Sequence, residues 1–438
     1  MLAALTLGFI LAPQRPNIIL MLIDDMGWRD LGYAGSDLYE TPNIDRISAA
    51  GASFTSAYSA HPVCSPSRAA LMTGKNPVRV GITDWIPGDR PTDKPLIQPP
   101  INNELALKEV TIAEKLKKIG YRTFSIGKWH LGGDGFRPTD QGFDVNIGGS
   151  HIGQPGSYFF PYGENVNPGL DKGKPGEYIT DRLTDEAIRL IDDTKSQPFF
   201  LYFPEYAVHT PIQAKQSDTD LFLAKAKNAV IHKNAKYAAM IKNLDENVGR
   251  LIAHLERTGR MKDTLFLFTS DNGGLAPVTN NAPLRASKGF PYEGGIRVPG
   301  FAYWPGHVQP GTKLTERVVT MDFHATVLHA AGAKDSAPDG MSFLDGLTGK
   351  KFKQTKPFIW HYPHYHSSGQ TPASAIREGD WKLVHHYEND QDELFNLSAD
   401  PSEKNDLSKS EPVRTKALWI KLKSGLDKMG AKYPVKRQ

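Results

Sequence analysis

Apolar and polar positions along this chain follow two periods in alternation. Pro16-Asn-Ile-Ile-Leu-Met-Leu-Ile-Asp-Asp25 is a near-continuous apolar run closed by two acids, with Gly27 just beyond. That is the pattern of a strand buried on both faces and ending at a site. Tyr121 to His130, Phe199 to Val208 and Thr264 to Thr269 read as further strands. Between them the spacing becomes helical. Thr41 to Gly51 carries an N-cap candidate, a proline in the first turn, Ile44 and Ile47 one turn apart, and a glycine stop. Thr111 to Gly120 is amphipathic with a lysine-rich outer face, and helical spacing returns in Ile179 to Thr194 and over Leu223 to Gly259. This alternation predicts an α/β fold: a mostly parallel or mixed central sheet flanked by helices, with its ligand site at the carboxyl ends of the strands.

After Ala331-Gly332 the character changes. Lys350 to Lys356 is basic and helix-poor; Phe358 to Tyr362, Ser374 to Arg377 and Trp381 to Tyr387 read as strands separated by turns such as Glu378-Gly-Asp380, and a helix follows from about Glu411 to Lys428. The expected organisation is a catalytic domain over 16–345 and a smaller C-terminal α+β subdomain over 346–438 that completes the substrate pocket. Leu2 to Ala12 is a short apolar stretch, far below the roughly 20 residues of a spanning helix. Residues 1–15 read as the remnant of a secretion signal, although no basic residue separates Met1 from Leu2. With no later run apolar enough for stable membrane insertion, the expected location is secreted or periplasmic.

Composition narrows the function classes. The 438 residues are 39% hydrophobic and 10% aromatic, enough for a large core. Lys and Arg number 52 against 48 Asp and Glu, and a net charge of +4 is too small for a nucleic-acid binder. There is one cysteine, Cys64, so neither an intrachain disulfide nor a thiol-rich metal site is available.

That cysteine sits in His61-Pro-Val-Cys64-Ser65-Pro66-Ser67-Arg68-Ala-Ala-Leu-Met-Thr-Gly74. It falls just before a helix start, where free amides and the helix dipole favour an anion or thiolate, and Arg68 in the first turn is poised to pair with that anion. The segment resembles the signature of the type I, formylglycine-dependent sulfatases of the alkaline phosphatase superfamily: Cys-x-Pro-x-Arg, then Ala-x-Leu-x-x-Gly, matched by Cys64, Pro66, Arg68, Ala69, Leu71 and Gly74. The resemblance implies an alkaline phosphatase-like fold. It also implies that a cysteine-oxidising maturation enzyme converts Cys64 to formylglycine, whose hydrated aldehyde attacks sulfur.

The remaining chemistry is spread along the chain. Asp24 and Asp25 end one strand and Asp271-Asn272 another, so carboxylates and an amide meet at one edge of the sheet, an oxygen set suited to calcium rather than magnesium. The resemblance implies calcium as well, with Asp24, Asp25, residue 64, Asp271 and Asn272 as ligands; Asp271 is also the expected base toward the nucleophile. In Gly127-Lys128-Trp129-His130 strand alternation puts Lys128 and His130 on one side. The resemblance gives this pair the task of orienting the nucleophile and releasing sulfate. It makes His209 the acid or donor toward the leaving alkoxide and Lys288 a bridge between sulfate and leaving oxygen. Glu293 and Arg297 read as scaffold.

Substrate selection is expected from loops: His151 with Gln154 and Tyr158, and the cluster His361, His364 and His366 followed by Arg377, polar and aromatic groups that suit a sugar. This part of the chain looks like bacterial carbohydrate sulfatases, which favours a sulfated glycan carrying galactose or N-acetylgalactosamine sulfate. The rivals are a broad arylsulfatase, a phosphonate or phosphate ester hydrolase of the same superfamily, and a non-catalytic glycan-binding protein should Cys64 stay unoxidised. The sequence names no nucleic-acid partner and fixes no oligomeric state.

Overall fold

The computed structural model describes residues 15–163, 168–334 and 337–437. Of the segment 1–15 read as a signal remnant, residues 1–14 lie outside the described residues. No helix among the described residues is long and apolar enough to cross a membrane.

The central sheet has eight strands: β1 (Asn17–Ile23), β2 (Ala52–Phe54), β3 (Arg122–Ile126), β4 (Val145–Ile147), β5 (Phe199–Pro204), β6 (Thr264–Ser270), β7 (Gly300–Tyr303) and β8 (Thr312–Leu314), in the order β8-β2-β7-β6-β1-β5-β3-β4. From β6 to β4 all neighbours are parallel; β7 alone runs against both of its neighbours, so the sheet is mixed. The unbroken apolar run of β1 is explained by its alternation. Ile19, Met21 and Ile23 enter one core, and Ile18, Leu20 and Leu22 enter the core on the opposite face.

The first core is closed by helices α1 (Pro42–Ala49), α4 (Ile179–Asp193), α5 (Gln216–Asn228) and α6 (Ala235–Arg257); the second by α2 (Cys64–Thr73), α3 (Ile112–Lys118) and α7 (Thr320–Ala330). Helix α3 starts at a capping box in which the Thr111 hydroxyl accepts the Glu114 amide and Glu114 accepts the Thr111 amide. The single periodic stretch expected from Leu223 to Gly259 is instead two helices, α5 beginning earlier at Gln216. The break has a tertiary cause: the Asp37 carboxylate accepts the amides of Val230, Ile231 and His232, and Asn234 then caps α6.

Toward the C-terminus stands a four-stranded antiparallel sheet, β9 (Phe358–Tyr362), β10 (Ala373–Glu378), β11 (Trp381–His386) and β12 (Gln391–Asn396), in sequential order. Strand β12 was not foreseen from its polar Gln-Asp-Glu opening. One face of this sheet meets Leu418, Leu422 and Leu426 of α8 (Pro412–Met429). The other packs Trp360, Ala375, Val384 and Phe395 against Tyr58, Tyr292 and Ile296.

A buried ionic knot ties this sheet to the rest. Lys382 on β11 lies 3.1 Å from Glu293 and 2.8 Å from Glu403, and Glu293 also accepts the Tyr58 hydroxyl at 2.7 Å. Glu293 is therefore scaffold, as read from the sequence. Removing the one ammonium between two buried carboxylates leaves charge uncompensated, so Lys382→Met is expected to destabilise the fold by about 3–5 kcal/mol in denaturant unfolding. The double variant Lys382→Met/Glu403→Gln should recover part of that loss, and equal midpoints for wild type and Lys382→Met would remove the knot from the account.

Candidate active site

Backbone register builds the site. Ile23 pairs with Ser270 across β1 and β6, so Asp24-Asp25 and Asp271-Asn272 leave the two central strands level and side by side. The Asp25 amide donates to Asp271 Oδ1 at 3.2 Å, and Asn272 Nδ2 donates to Asp25 Oδ1 at 2.8 Å. From the far side of β1, the segment after β5 brings His209, fixed by the Asp24 amide donating to the Ala207 carbonyl and the Val208 amide to the Asp24 carbonyl.

Cys64 is the first residue of α2 rather than the residue before it, and it is buried. One ligand atom from each of Asp24, Asp25, Cys64 and His209 lies within 4.8 Å of the others. Asp271 stands behind this group. Its Oδ2 accepts Arg68 Nε at 2.9 Å and Nη2 at 2.7 Å, while Arg68 Nη2 lies 3.4 Å from Asp24 and Nη1 donates to the Lys128 carbonyl. Arg68 thus falls a turn beyond Cys64 and is occupied by carboxylates, not by the sulfur as expected. Lys128 donates to Asp24 Oδ2 at 2.7 Å, and Lys288 reaches both oxygens of Asp25 at 2.7 and 2.8 Å.

These pairings set the ionisation states. Burial would push the Asp25 carboxyl up, but Lys288, His209 and Lys128 outweigh it and hold it well below the usual carboxylate range. Burial and the neighbouring Asp24 push Asp271 up to about 6 against the pull of Arg68. Burial would raise the Cys64 thiol too, yet Lys128 and Lys288 bring it down to about 6.

The two histidines differ. His130 Nε2 donates to the Ile86 carbonyl at 2.7 Å, which leaves Nδ1 unprotonated, buried and without a hydrogen-bond partner. Burial and Lys128 keep its pKa well below ordinary values. His209 Nδ1 donates to the Thr210 carbonyl at 2.8 Å, and its Nε2 faces Lys288 at 3.2 Å and Asp25 at 3.5 Å. Burial lowers its pKa, but Asp25 more than compensates and the net shift is upward. The strand expected to run to His130 stops at Ile126, so Lys128 and His130 reach the site from the loop beyond it and not by strand alternation.

The donor set fits a hard cation. Asn272 Oδ1 is a buried oxygen without a hydrogen-bond partner and Asp24 Oδ1 accepts no hydrogen bond, its ion pair with Arg68 being 3.4 Å long; both stand next to the carboxylate of Asp25, and such buried acceptors are what a calcium ion would satisfy.

A cavity of about 490 Å³ opens over this cluster, lined by Cys64, His130, His209 and Lys288 and, further out, by His151, Gln154 and His366. Of the residues expected to select substrate, His151, Gln154 and His366 are on the wall and four are not. His361 is held by Ser374 Oγ at 2.7 Å, and His364 by Thr83 Oγ1 and Gln98 Oε1. Arg377 lies over the Tyr58 ring beside Glu293. All three sit within or against the C-terminal sheet, where their polar groups serve packing. Tyr158 is likewise buried, its hydroxyl within 2.7 Å of the His209 carbonyl. His366 alone of the cluster reaches the cavity, four residues past the end of β9. Gly289 has φ +92°, and a Cβ there would come within 2.4 Å of His366 Nδ1, so glycine is what allows His366 to seat beside Lys288.

Trp85, Ile86 and Pro87 were missed as wall residues. They carry no motif and are recruited by contacts invisible in sequence: the Ile86 amide donates to Ser65 Oγ and the Ile86 carbonyl accepts from His130.

Comparison with known proteins gives a consistent picture. A family model described as Sulfatase matches residues 16–333, and one described as N-sulphoglucosamine sulphohydrolase, C-terminal, matches residues 286–432. The N-acetylgalactosamine-6-sulfatase of Mus musculus is 36% identical over 79% of this chain and 68% of its own length. A protein named Sulfatase from Formosa agariphila is 33% identical over 95% of this chain and 88% of its own. The crystal structure of Ps i-CgsB in complex with k-i-k-neocarrahexaose superposes with a TM-score of 0.79 at 33% identity, covering 94% of this chain and 93% of that one.

The geometry makes a direct prediction for unmodified protein. The rate at which iodoacetamide alkylates Cys64 should rise with an inflection near pH 6. Because an adjacent ammonium favours thiolate, Lys288→Met should move the inflection upward by about one pH unit or more. An inflection above 8 in the wild type would contradict the charge arrangement.

Proposed function

The chain belongs to the sulfatase family and is a sulfuric ester hydrolase, and from that premise we propose that it desulfates a carbohydrate, with N-acetylgalactosamine or galactose sulfate as the favoured unit. Residue 64, matured to formylglycine, would be the nucleophile, and calcium would be held by Asp24, Asp25, Asp271, Asn272 and residue 64. The observation that carries this reading is the convergence of Cys64 with Asp24, Asp25 and His209 within 4.8 Å, flanked by Lys128 and Lys288. A sugar is supported by the relative named N-acetylgalactosamine-6-sulfatase, by the neighbour solved in complex with k-i-k-neocarrahexaose, and by the polar wall of His151, Gln154 and His366. Export, with residues 1–15 as a signal remnant, belongs to the same proposal.

Formylglycine hydrate at residue 64 would supply one hydroxyl as nucleophile and a second to be deprotonated for sulfate release, and calcium held by these residues would supply positive charge that acidifies the nucleophile. The protein's own groups do the rest. Lys128 and Lys288, both buried, offset the charge gathering on the sulfuryl oxygens. Arg68 acts through Asp24 and Asp271, holding both carboxylates in position. Asp271, with its carboxyl raised to about 6, serves as base toward the nucleophile. His209, whose Nε2 faces the cavity while Nδ1 is held by Thr210, gives a proton to the sugar oxygen as its bond to sulfur breaks. His130 Nδ1, unprotonated and free, accepts the proton whose removal releases sulfate. Over the cycle one water is consumed and an alcohol and hydrogen sulfate are formed.

The test is protein co-produced with a cysteine-oxidising enzyme, assayed side by side on N-acetylgalactosamine 6-sulfate, galactose 6-sulfate, an aryl sulfate and an aryl phosphonate. Peptide mass should show a loss of about 18 Da at Cys64. The sugar sulfates should be turned over fastest, Cys64→Ala should be inactive, and chelation should abolish activity and lower the melting temperature until calcium is restored. Faster phosphonate turnover, or no desulfation by fully converted protein, would sink the proposal.

A further inference from the structure

Beside the catalytic cavity lies a larger one, of about 920 Å³, which the reaction does not use. The two back onto the same loop. Leu275 and Lys288 line the catalytic side, while Ala276 and Ala286 line the other. The opposite wall of this second cavity is the beginning of α6 and the segment before it, and it brings Lys233 and Lys236 to the same space.

Four features give this cavity a chemical character. No Asp or Glu lines it; the carboxylate that meets this segment, Asp37, is turned onto the amides of residues 230–232. Neither lysine forms an ion pair with a described residue; Lys236 is exposed, and Lys233 donates to the Ala229 carbonyl. The start of the 23-residue α6 adds the positive end of a helix dipole, with the Asn234 side chain satisfying only the Tyr237 amide. Leu223, half exposed, and Pro277 add apolar surface of the kind that packs on the faces of sugar rings.

A cavity of about 490 Å³ around the nucleophile is of the size that encloses a drug-sized ligand, comparable to roughly one or two sugar units, so a longer chain must run onto neighbouring surface. Across the 275–288 loop lies the second cavity, whose far wall carries Lys233 and Lys236. We propose that this second cavity is a distal binding site for a sulfated unit of the same glycan chain, its sulfate ester held by Lys233 and Lys236. The inference rests on the carbohydrate-sulfatase reading and adds to it that the enzyme prefers an oligomer carrying more than one sulfate over a sulfated monosaccharide. The simpler alternative is an ordinary solvated helix start, on which the two lysines do nothing for substrate.

The experiment separates the two and needs no turnover. Cys64→Ala protein is titrated calorimetrically with N-acetylgalactosamine 6-sulfate and with a chondroitin 6-sulfate tetrasaccharide. The tetrasaccharide should bind about tenfold or more tightly than the monosaccharide. Adding Lys233→Ala and Lys236→Ala should erase that advantage while monosaccharide affinity and melting temperature stay unchanged, and Lys236→Glu alone should weaken the tetrasaccharide further than Lys236→Ala. The advantage should also shrink as salt is raised. Equal affinities for the two ligands, or an advantage that survives loss of both lysines, would overturn the proposal. Failure of the underlying reading has a different signature: matured wild-type protein that desulfates neither ligand.

Discussion

Carboxylates and cations buried together at the tips of β1 and β6 are the constraint from which the rest of this structure follows. Asp24, Asp25 and Asp271 are almost fully removed from solvent, and so are Arg68, Lys128 and Lys288. Each such ion alone would cost several kcal/mol to bury, and only near-complete mutual pairing makes the arrangement tolerable. The pairing explains why α2, the loop after β3 and the 275–288 loop must all converge on one sheet edge: each delivers a cation that the acid tips require. Fold and site are thus the same interaction seen twice. A loop that drifted would leave a carboxylate unpaired before it affected any chemistry.

That balance also shapes reactivity. The same ammonium groups that neutralise Asp24 and Asp25 lie close enough to Cys64 to favour its anion, so a nucleophile at this position inherits an electropositive setting it did not have to build. Asp271 inherits the reverse. Crowded by Asp24 and buried, it holds its proton more firmly than Asp25 does, although both carboxylates belong to strand tips in register. Identical side chains, one residue pair apart in the sheet, acquire different roles from which cation each meets.

Much of this was legible in the sequence because it is local or periodic. The acid-terminated run of β1 has its cause in the two-faced burial of one strand, and the Cys64 segment announces itself by a short motif. What was illegible depends on partners far away in the chain. The helix expected to run unbroken through Ala229 to Asn234 is interrupted by Asp37, nearly two hundred residues earlier, and no glycine or proline marks the spot. His361, His364 and Arg377 look like a binding cluster because they are polar and aromatic-flanked, yet antiparallel pairing folds His361 and Arg377 into the C-terminal sheet, where Ser374 and Tyr58 meet them, and His364 just beyond β9 is taken by Thr83 and Gln98. Conversely, Trp85 to Pro87 has no chemical signature and becomes cavity wall only through Ser65 and His130. Arg68 was found by motif, but its target was not, since a guanidinium in sequence does not say which carboxylate it will fork.

The two histidines show how far the fold prepares proton movement before any substrate arrives. His130 is buried against Lys128 with its Nε2 proton committed to a backbone carbonyl, so it enters the cycle neutral and able only to accept at Nδ1. His209 leans on Asp25, which raises its proton affinity, and its Nδ1 is committed to Thr210, so what it can give it gives from Nε2. One group starts empty and the other is biased toward full, each aimed by a hydrogen bond to main chain rather than to a mobile side chain. In the proposed reaction the first proton is needed by the departing sugar oxygen and the second must be taken away to free the sulfate. Pushing the affinities of two like groups apart allows both transfers near neutral pH without exchanging their positions. The direction of the cycle is then written into which cation or carboxylate each imidazole was folded against.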